Sequence, residues 1–216
     1  MLTSVLPFTP EDAAKATEYC TEYSDGMLNN IKELWEWTRH ELYDADKMSS
    51  PLQGATNKFL TQILQPRRIL EISSYSGFKI EPRIIEVTKR TISRYGLKDR
   101  VKLIKGPARD SLKTLSGIFD IIFINADKEG YEGYIRQILD KKLLSPERII
   151  ICDNIFARGL TISTNSSQHL NQTLIPYWIK CGKAIKKLSA FCKEDNRINC
   201  LVLPLYDSIC LLKWKS

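Results

Sequence analysis

The sequence predicts an α/β fold built on a mostly parallel sheet, ending in a C-terminal antiparallel hairpin. Three observations predict it. Short, uninterrupted apolar runs alternate four times with segments whose apolar residues recur every three or four positions. Strands that are apolar on both faces belong to a parallel sheet covered by helices on each side. The last two strand-like runs, 199–203 and 209–214, are joined by a short turn containing Tyr206-Asp207-Ser208 instead of a helix, which is the pattern of a hairpin closing a sheet edge. Finally, 216 residues, at roughly 100 to 200 per domain, leave room for one such sheet and exclude two large independent domains.

The elements follow in order. Thr9, Pro10 and Asp12 combine a side-chain cap, a proline at the first helical position and an acid in the first turn. Tyr19, Tyr23, Met27, Ile31, Leu34, Trp35 and Thr38 then recur at helical spacing, broken at Asp25-Gly26. Residues 1–48 are therefore an N-terminal helical region and 49–216 the core, within a single domain. A helix over 53–64 stops before Pro66, and a buried strand, Arg68 to Ile72, runs into the small-residue turn 73–77. Pro82 starts a helix that Gly96 stops. Strands are expected at 101–105, 119–124 and 148–152, and helices at 109–115, 131–139 and 168–188.

Composition narrows the class. With 43% hydrophobic and 26% charged residues, the chain can bury a core and is far from the disordered regime. It has no apolar run of about 18 residues and no signal-like start, so a cytosolic protein without membrane contact is expected. The net charge of +7 is spread as short pairs such as Arg67-Arg68 and Lys186-Lys187, a solvated surface and not a nucleic-acid interface. Six cysteines without a C-x-x-C pair, beside two histidines, read as reduced, mostly packed thiols and not a zinc site. Neither a G-x-S-x-G elbow nor a phosphate-binding loop is present.

In a parallel sheet the ligand lies beyond the carboxyl ends of the strands. The residues there are Glu71 to Gly77, Gly106 to Asp110, Asn125 to Lys128, and Asp153-Asn154. Asn125, Asp127, Asp153 and Asn154 have two readings on spacing alone: oxygen ligands converging on a hard cation, or caps of the helices that follow.

Four strings, LEISSYSGF (70–78), GPARDSL (106–112), FDIIFINADKEGY (119–131) and IICDNIFARG (150–159), resemble in order and spacing the motifs of the cation-dependent catechol and caffeoyl-CoA O-methyltransferases, especially fungal members. The similarity extends from about Ser50 to the C-terminus. It implies a Rossmann-like class I methyltransferase sheet, S-adenosylmethionine as methyl donor, a divalent cation such as magnesium, and a small hydroxylated aromatic substrate; a homodimer is compatible with it. Transferred by position, Glu71, Ser73, Tyr75, Ser76 and Gly77 approach the methionine part of the cofactor, and Gly106, Pro107 and Ala108 flank its adenine. Ser50, Gln53 and Gly54 match a stretch that closes over it. Asn125, also at the cofactor, falls with Asp153 and Asn154 on the metal ligands. Lys128 falls on the catalytic lysine, and Trp178 with residues 156–164 borders the substrate.

Three departures stand out. Asn125 replaces an aspartate, leaving one anionic ligand where two are expected. Ser73 replaces the first glycine of the cofactor turn, where close backbone approach favours glycine. A helix and a strand, about 17 residues from mean element lengths, are missing after Phe78, and Lys79 takes the place of the acid that bonds the ribose. The sheet is therefore expected one strand short of seven, and a non-catalytic relative that binds cofactor and metal weakly is the alternative reading.

Overall fold

The computed structural model describes residues 9–26, 28–41, 49–73, 82–163 and 170–215. The chain divides into two compact units, Met1–Gln65 and Pro66–Ser216. The first unit holds α1 (Pro10–Glu22), α2 (Asn29–Glu41) and α3 (Pro51–Leu64). Each proline-led helix starts on a hydroxyl cap: the Asp12 amide donates to Thr9 Oγ1 at 3.1 Å, and the Gln53 amide to Ser50 Oγ at 3.2 Å. The expected break at Asp25-Gly26 falls between α1 and α2.

The second unit is a five-stranded mixed sheet in the order β1-β2-β3-β5-β4. Its strands are β1 (Ile69–Ser73), β2 (Phe119–Asn125), β3 (Leu144–Asp153), β4 (Ile198–Leu203) and β5 (Ile209–Trp214). β1, β2 and β3 pair in parallel, while β5 pairs antiparallel with both β3 and β4. Between them run α4 (Pro82–Arg94), α5 (Ala108–Thr114), α6 (Tyr131–Asp140) and α7 (Ile175–Glu194). β2 reads as a nearly continuous apolar run because it is central: Phe119, Ile121, Ile122 and Ile124 are all buried. Ile135 and Ile138 of α6 and Ile185 of α7 complete this core. Burial of each such side chain stabilises by about 1.5–3 kcal/mol. Register aligns the strand tips, with Ser73 opposite Asn125 and Ile124 opposite Cys152.

Two expectations are corrected. Residues 101–105 make no ladder, so the described sheet has five strands, not six. An extended segment becomes a strand when a neighbour completes its backbone hydrogen bonds, and among the described residues no strand lies beside this one. Val101, Leu103 and Ile104 are accordingly 40–43% exposed. The last helix begins at Ile175 instead of near 168 because Pro176 has no amide hydrogen and is tolerated only in a first turn.

α7 also fixes the loop that follows β3. At Gly182 an added Cβ would lie 2.6 Å from the Leu160 carbonyl oxygen, so the missing side chain is what lets that loop rest on the helix. A helical Gly→Ala change ordinarily stabilises by up to about 1 kcal/mol. Here G182A is expected to lower stability by about 1–3 kcal/mol through the backbone shift it forces, measured by urea unfolding of the two proteins.

Candidate functional site

β2 ends at Asn125 and α6 begins at Tyr131, so five residues must reverse the chain at the sheet's C-terminal edge. Gly130 closes this turn, its amide donating to the Asp127 carbonyl at 3.0 Å. A Cβ there would meet Tyr134 and Asp127. The turn directs Lys128 back beneath the strand tips. Its Nζ donates to Tyr131 Oη at 2.6 Å, to the Ala126 carbonyl at 3.3 Å, and to Asn125 Oδ1 and Asn154 Oδ1 at 3.4 Å each. On the next strand the Asp153 side chain is 1% exposed, and its Oδ1 accepts the Asn154 amide at 2.8 Å.

Tyr131 is the anchor of the cluster and escaped the sequence analysis, although it closes one of the quoted strings. It is fully buried. Its oxygen accepts from the Ala126 amide at 3.2 Å and from Lys128, and its proton serves the carbonyls of Ile124 (3.2 Å) and Asp153 (3.0 Å). Burial holds the phenol well above its ordinary range, so it remains a neutral donor. The available signal was an aromatic at the first position of a helix, three residues after the lysine.

Lys128 is 6% exposed. Burial pushes its ammonium down to about 8, against the opposing pull of the Asp153 charge. The backbone beyond is equally constrained. Asn154, Ala157 and Arg158 hold φ of 57°, 48° and 59°, in a region that non-glycine residues adopt at a cost. The β4–β5 turn supports them. The Ile155 amide donates to the Ser208 carbonyl at 3.1 Å, and the Arg158 amide to both Asp207 carboxylate oxygens at 3.0 Å. The Arg158 guanidinium lies 5.5 Å from the centre of the Trp178 ring.

The structure thus brings Asn125, Lys128 and Asn154 into contact, with Asp153 packed beside them. Ser73 is the ladder partner of Asn125. Glu71, on the same strand, is exposed, yet its packed surroundings raise its carboxyl above the usual range while a hydrogen bond with Ser73 lowers it. Gly106, with φ of 126°, precedes Pro107, which caps α5, and Ala108, the first residue of that helix. Ser50, Gln53 and Gly54 lie in the first unit, where Ser50 caps α3. Tyr75, Ser76, Gly77, Lys79 and Thr164 lie outside the described residues.

Residues 77–215 match the family model described as O-methyltransferase. The chain belongs to the O-methyltransferase family. A methyltransferase of Podospora anserina, PaMTH1, solved with SAH bound, is 44% identical over the whole of both chains, with a TM-score of 0.94. O-methyltransferase ankF of Aspergillus thermomutatus is 27% identical over 237 aligned positions, covering 100% of this chain and 99% of the relative. That alignment is longer than the chain itself, as expected if family members carry residues absent here. A catechol O-methyltransferase of Mycobacterium tuberculosis is 33% identical over 51% of this chain and 58% of its own. The family resemblance read from the four strings is borne out, as is the Rossmann-like fold class.

Lys128 sets a pH dependence with a defined sign. An unfolded lysine titrates near ~10.4, so the folded chain holds this proton less tightly. Lys128 therefore lowers stability below about pH 8, and that penalty fades as the pH rises from about 8 towards ~10.4. In lysine-Cε-labelled, metal-free protein, one carbon resonance is expected to titrate near pH 8. D153N, by removing the favourable charge, is expected to move that midpoint lower; an unchanged midpoint would contradict the pairing.

Proposed function

We propose that this chain transfers the methyl group of S-adenosylmethionine to a hydroxyl of a small aromatic substrate, with Lys128 as the base. One observation carries the proposal: a lysine with its pKa lowered to about 8, buried at the tips of β2 and β3 among Asn125, Asp153 and Asn154. The nature of the donor supports the reading, since PaMTH1 is described with SAH bound.

In the transfer, the substrate hydroxyl oxygen forms the new carbon–oxygen bond as the carbon–sulfur bond breaks, and the hydroxyl proton must leave. The neutral amine of Lys128 accepts it. With a pKa of about 8, roughly a quarter of the amines are neutral at pH ~7.5, close to the balance of availability and basicity that general-base catalysis favours. Tyr131 and the Ala126 carbonyl hold the nitrogen in place, so substrate docking has little reorganisation to perform at this atom.

Among the described residues no three His, Cys, Asp or Glu side chains gather as a metal site. Two amide oxygens nevertheless converge on the Lys128 ammonium beside a buried carboxylate. These are hard oxygen donors, suited in type to magnesium, but one anion gives them little charge to hold it. A divalent cation would be held by Asn125, Asp153 and Asn154, and would supply Lewis-acid stabilisation of the substrate oxygen. N125D is expected to tighten magnesium binding at least tenfold by calorimetry; unchanged affinity would favour the alternative of a weakly binding, non-catalytic relative.

The deciding assay is methyl transfer to catechol with magnesium present. The rate is expected to rise with pH to a plateau above about 8. K128R, which keeps the charge but cannot release a proton near neutrality, is expected to lose about 100-fold or more. Absence of turnover together with absence of calorimetric S-adenosylmethionine binding would refute the proposal.

A further inference from the structure

Away from this site, a cavity of about 520 Å³ opens beside the C-terminal hairpin and is lined by Cys192, Cys200 and Cys210. The register explains why they meet. Cys200 of β4 faces Leu212, and Cys210 of β5 faces Val202, so the two cysteines are diagonal neighbours on one face of the hairpin. Their sulfurs are 3.4 Å apart. Cys192, near the end of α7, supplies a third thiol hydrogen-bonded to Cys200.

The three sulfurs are not equivalent. Cys200 is exposed on the edge strand, whereas Cys192 and Cys210 are buried. Hydrogen bonds from Cys192 and then Cys210 pull the Cys200 thiol below its ordinary value, and both partners are raised. The cluster therefore pairs one accessible thiol, whose ionisation its neighbours favour, with sheltered thiols in contact with it, the arrangement of a reactive cysteine beside a resolving one.

We propose that Cys200 is an oxidant-sensing thiol that closes a cross-strand disulfide with Cys210 on exposure to a hydroperoxide. The Cys200 thiolate attacks the outer peroxide oxygen. The oxygen–oxygen bond breaks, the alkoxide or hydroxide leaves with a proton, and Cys200 becomes a sulfenic acid. Cys210, giving up its proton, then attacks the Cys200 sulfur, and the sulfur–oxygen bond breaks with loss of water. Two thiols and one hydroperoxide thus give one disulfide, one alcohol or water, and one further water. The sulfurs need to close from 3.4 Å to about 2.05 Å, which for diagonal neighbours requires side-chain rotation together with a small approach of the edge strand β4 towards β5. The bond would join β4 covalently to β5, where Cys210 pairs with Cys152, the residue before Asp153. This inference does not rest on the methyl-transfer proposal.

Both cysteines fall in the tryptic peptide 198–213, whereas Cys192 falls in 188–193, so the products separate cleanly by mass. The full chain would be titrated with hydrogen peroxide, blocked with N-ethylmaleimide and digested without reductant. Peptide 198–213 is expected to become lighter by about 2 Da and to take up no maleimide, at about tenfold less peroxide than oxidises the exposed Cys20. In C210S, Cys200 is expected to stop at a sulfenic acid captured by dimedone. The proposal is overturned if Cys200 and Cys20 oxidise in parallel, if peptide 198–213 gains oxygen without losing two hydrogens, or if the wild-type cross-link joins 188–193 to 198–213.

Discussion

The arrangement at the sheet edge depends on one constraint: an ammonium group kept almost wholly out of water. Removing a charge from solvent is costly unless it is paired and hydrogen-bonded, and Lys128 meets both conditions. Tyr131, the Ala126 carbonyl and two asparagine amides accept its hydrogens, and Asp153 supplies the opposing charge. These partners come from three parts of the local fold: the tip of β2, the tip of β3, and the first residue of α6. The parallel pairing of β2 with β3 is what brings these partners to one point.

That constraint also explains why the surrounding backbone is strained. Asn154 faces Lys128 from a left-handed conformation at the point where the chain leaves β3, and such conformations persist where neighbouring structure over-determines them. Here the β4–β5 turn does so through Asp207 and Ser208, and Gly182 of α7 admits the Leu160 carbonyl. The C-terminal hairpin is thus part of the site's scaffold, and the pairing of Cys210 with Cys152 places the proposed redox-sensitive element beside that scaffold. The replacement of the expected aspartate by Asn125 fits the same electrostatic balance. With one carboxylate and one ammonium the cluster is close to neutral, a state tolerated in a buried setting but poor at holding a doubly charged ion.

Much of this was legible in the sequence because it rests on short-range rules. The run from Phe119 to Ile124 declares a strand buried on both faces, and the rule that ligands gather beyond strand ends selects Asn125, Lys128, Asp153 and Asn154 without coordinates. What was not legible depends on partners distant in the chain. Residues 101–105 have strand composition, but only a neighbour makes a strand, and none lies beside them among the described residues. Tyr131 looks like an ordinary core aromatic at a helix start until its hydroxyl is seen to reach four polar groups. The contact between Cys200 and Cys210 requires the hairpin register, which their separation of ten residues does not specify. The turn beyond Ser73, where the sequence departs most from its family, lies outside the described residues.

The most direct test of the central claim is a double-mutant cycle on K128M and D153N, read by denaturant unfolding at pH 7. If the two groups are a buried pair, each single change strands the other charge or its hydrogen-bonding partners. The double variant is then expected to be at least as stable as the weaker single variant, with a coupling energy above about 1.5 kcal/mol. Single effects that simply add, to within about 0.5 kcal/mol, would contradict the account.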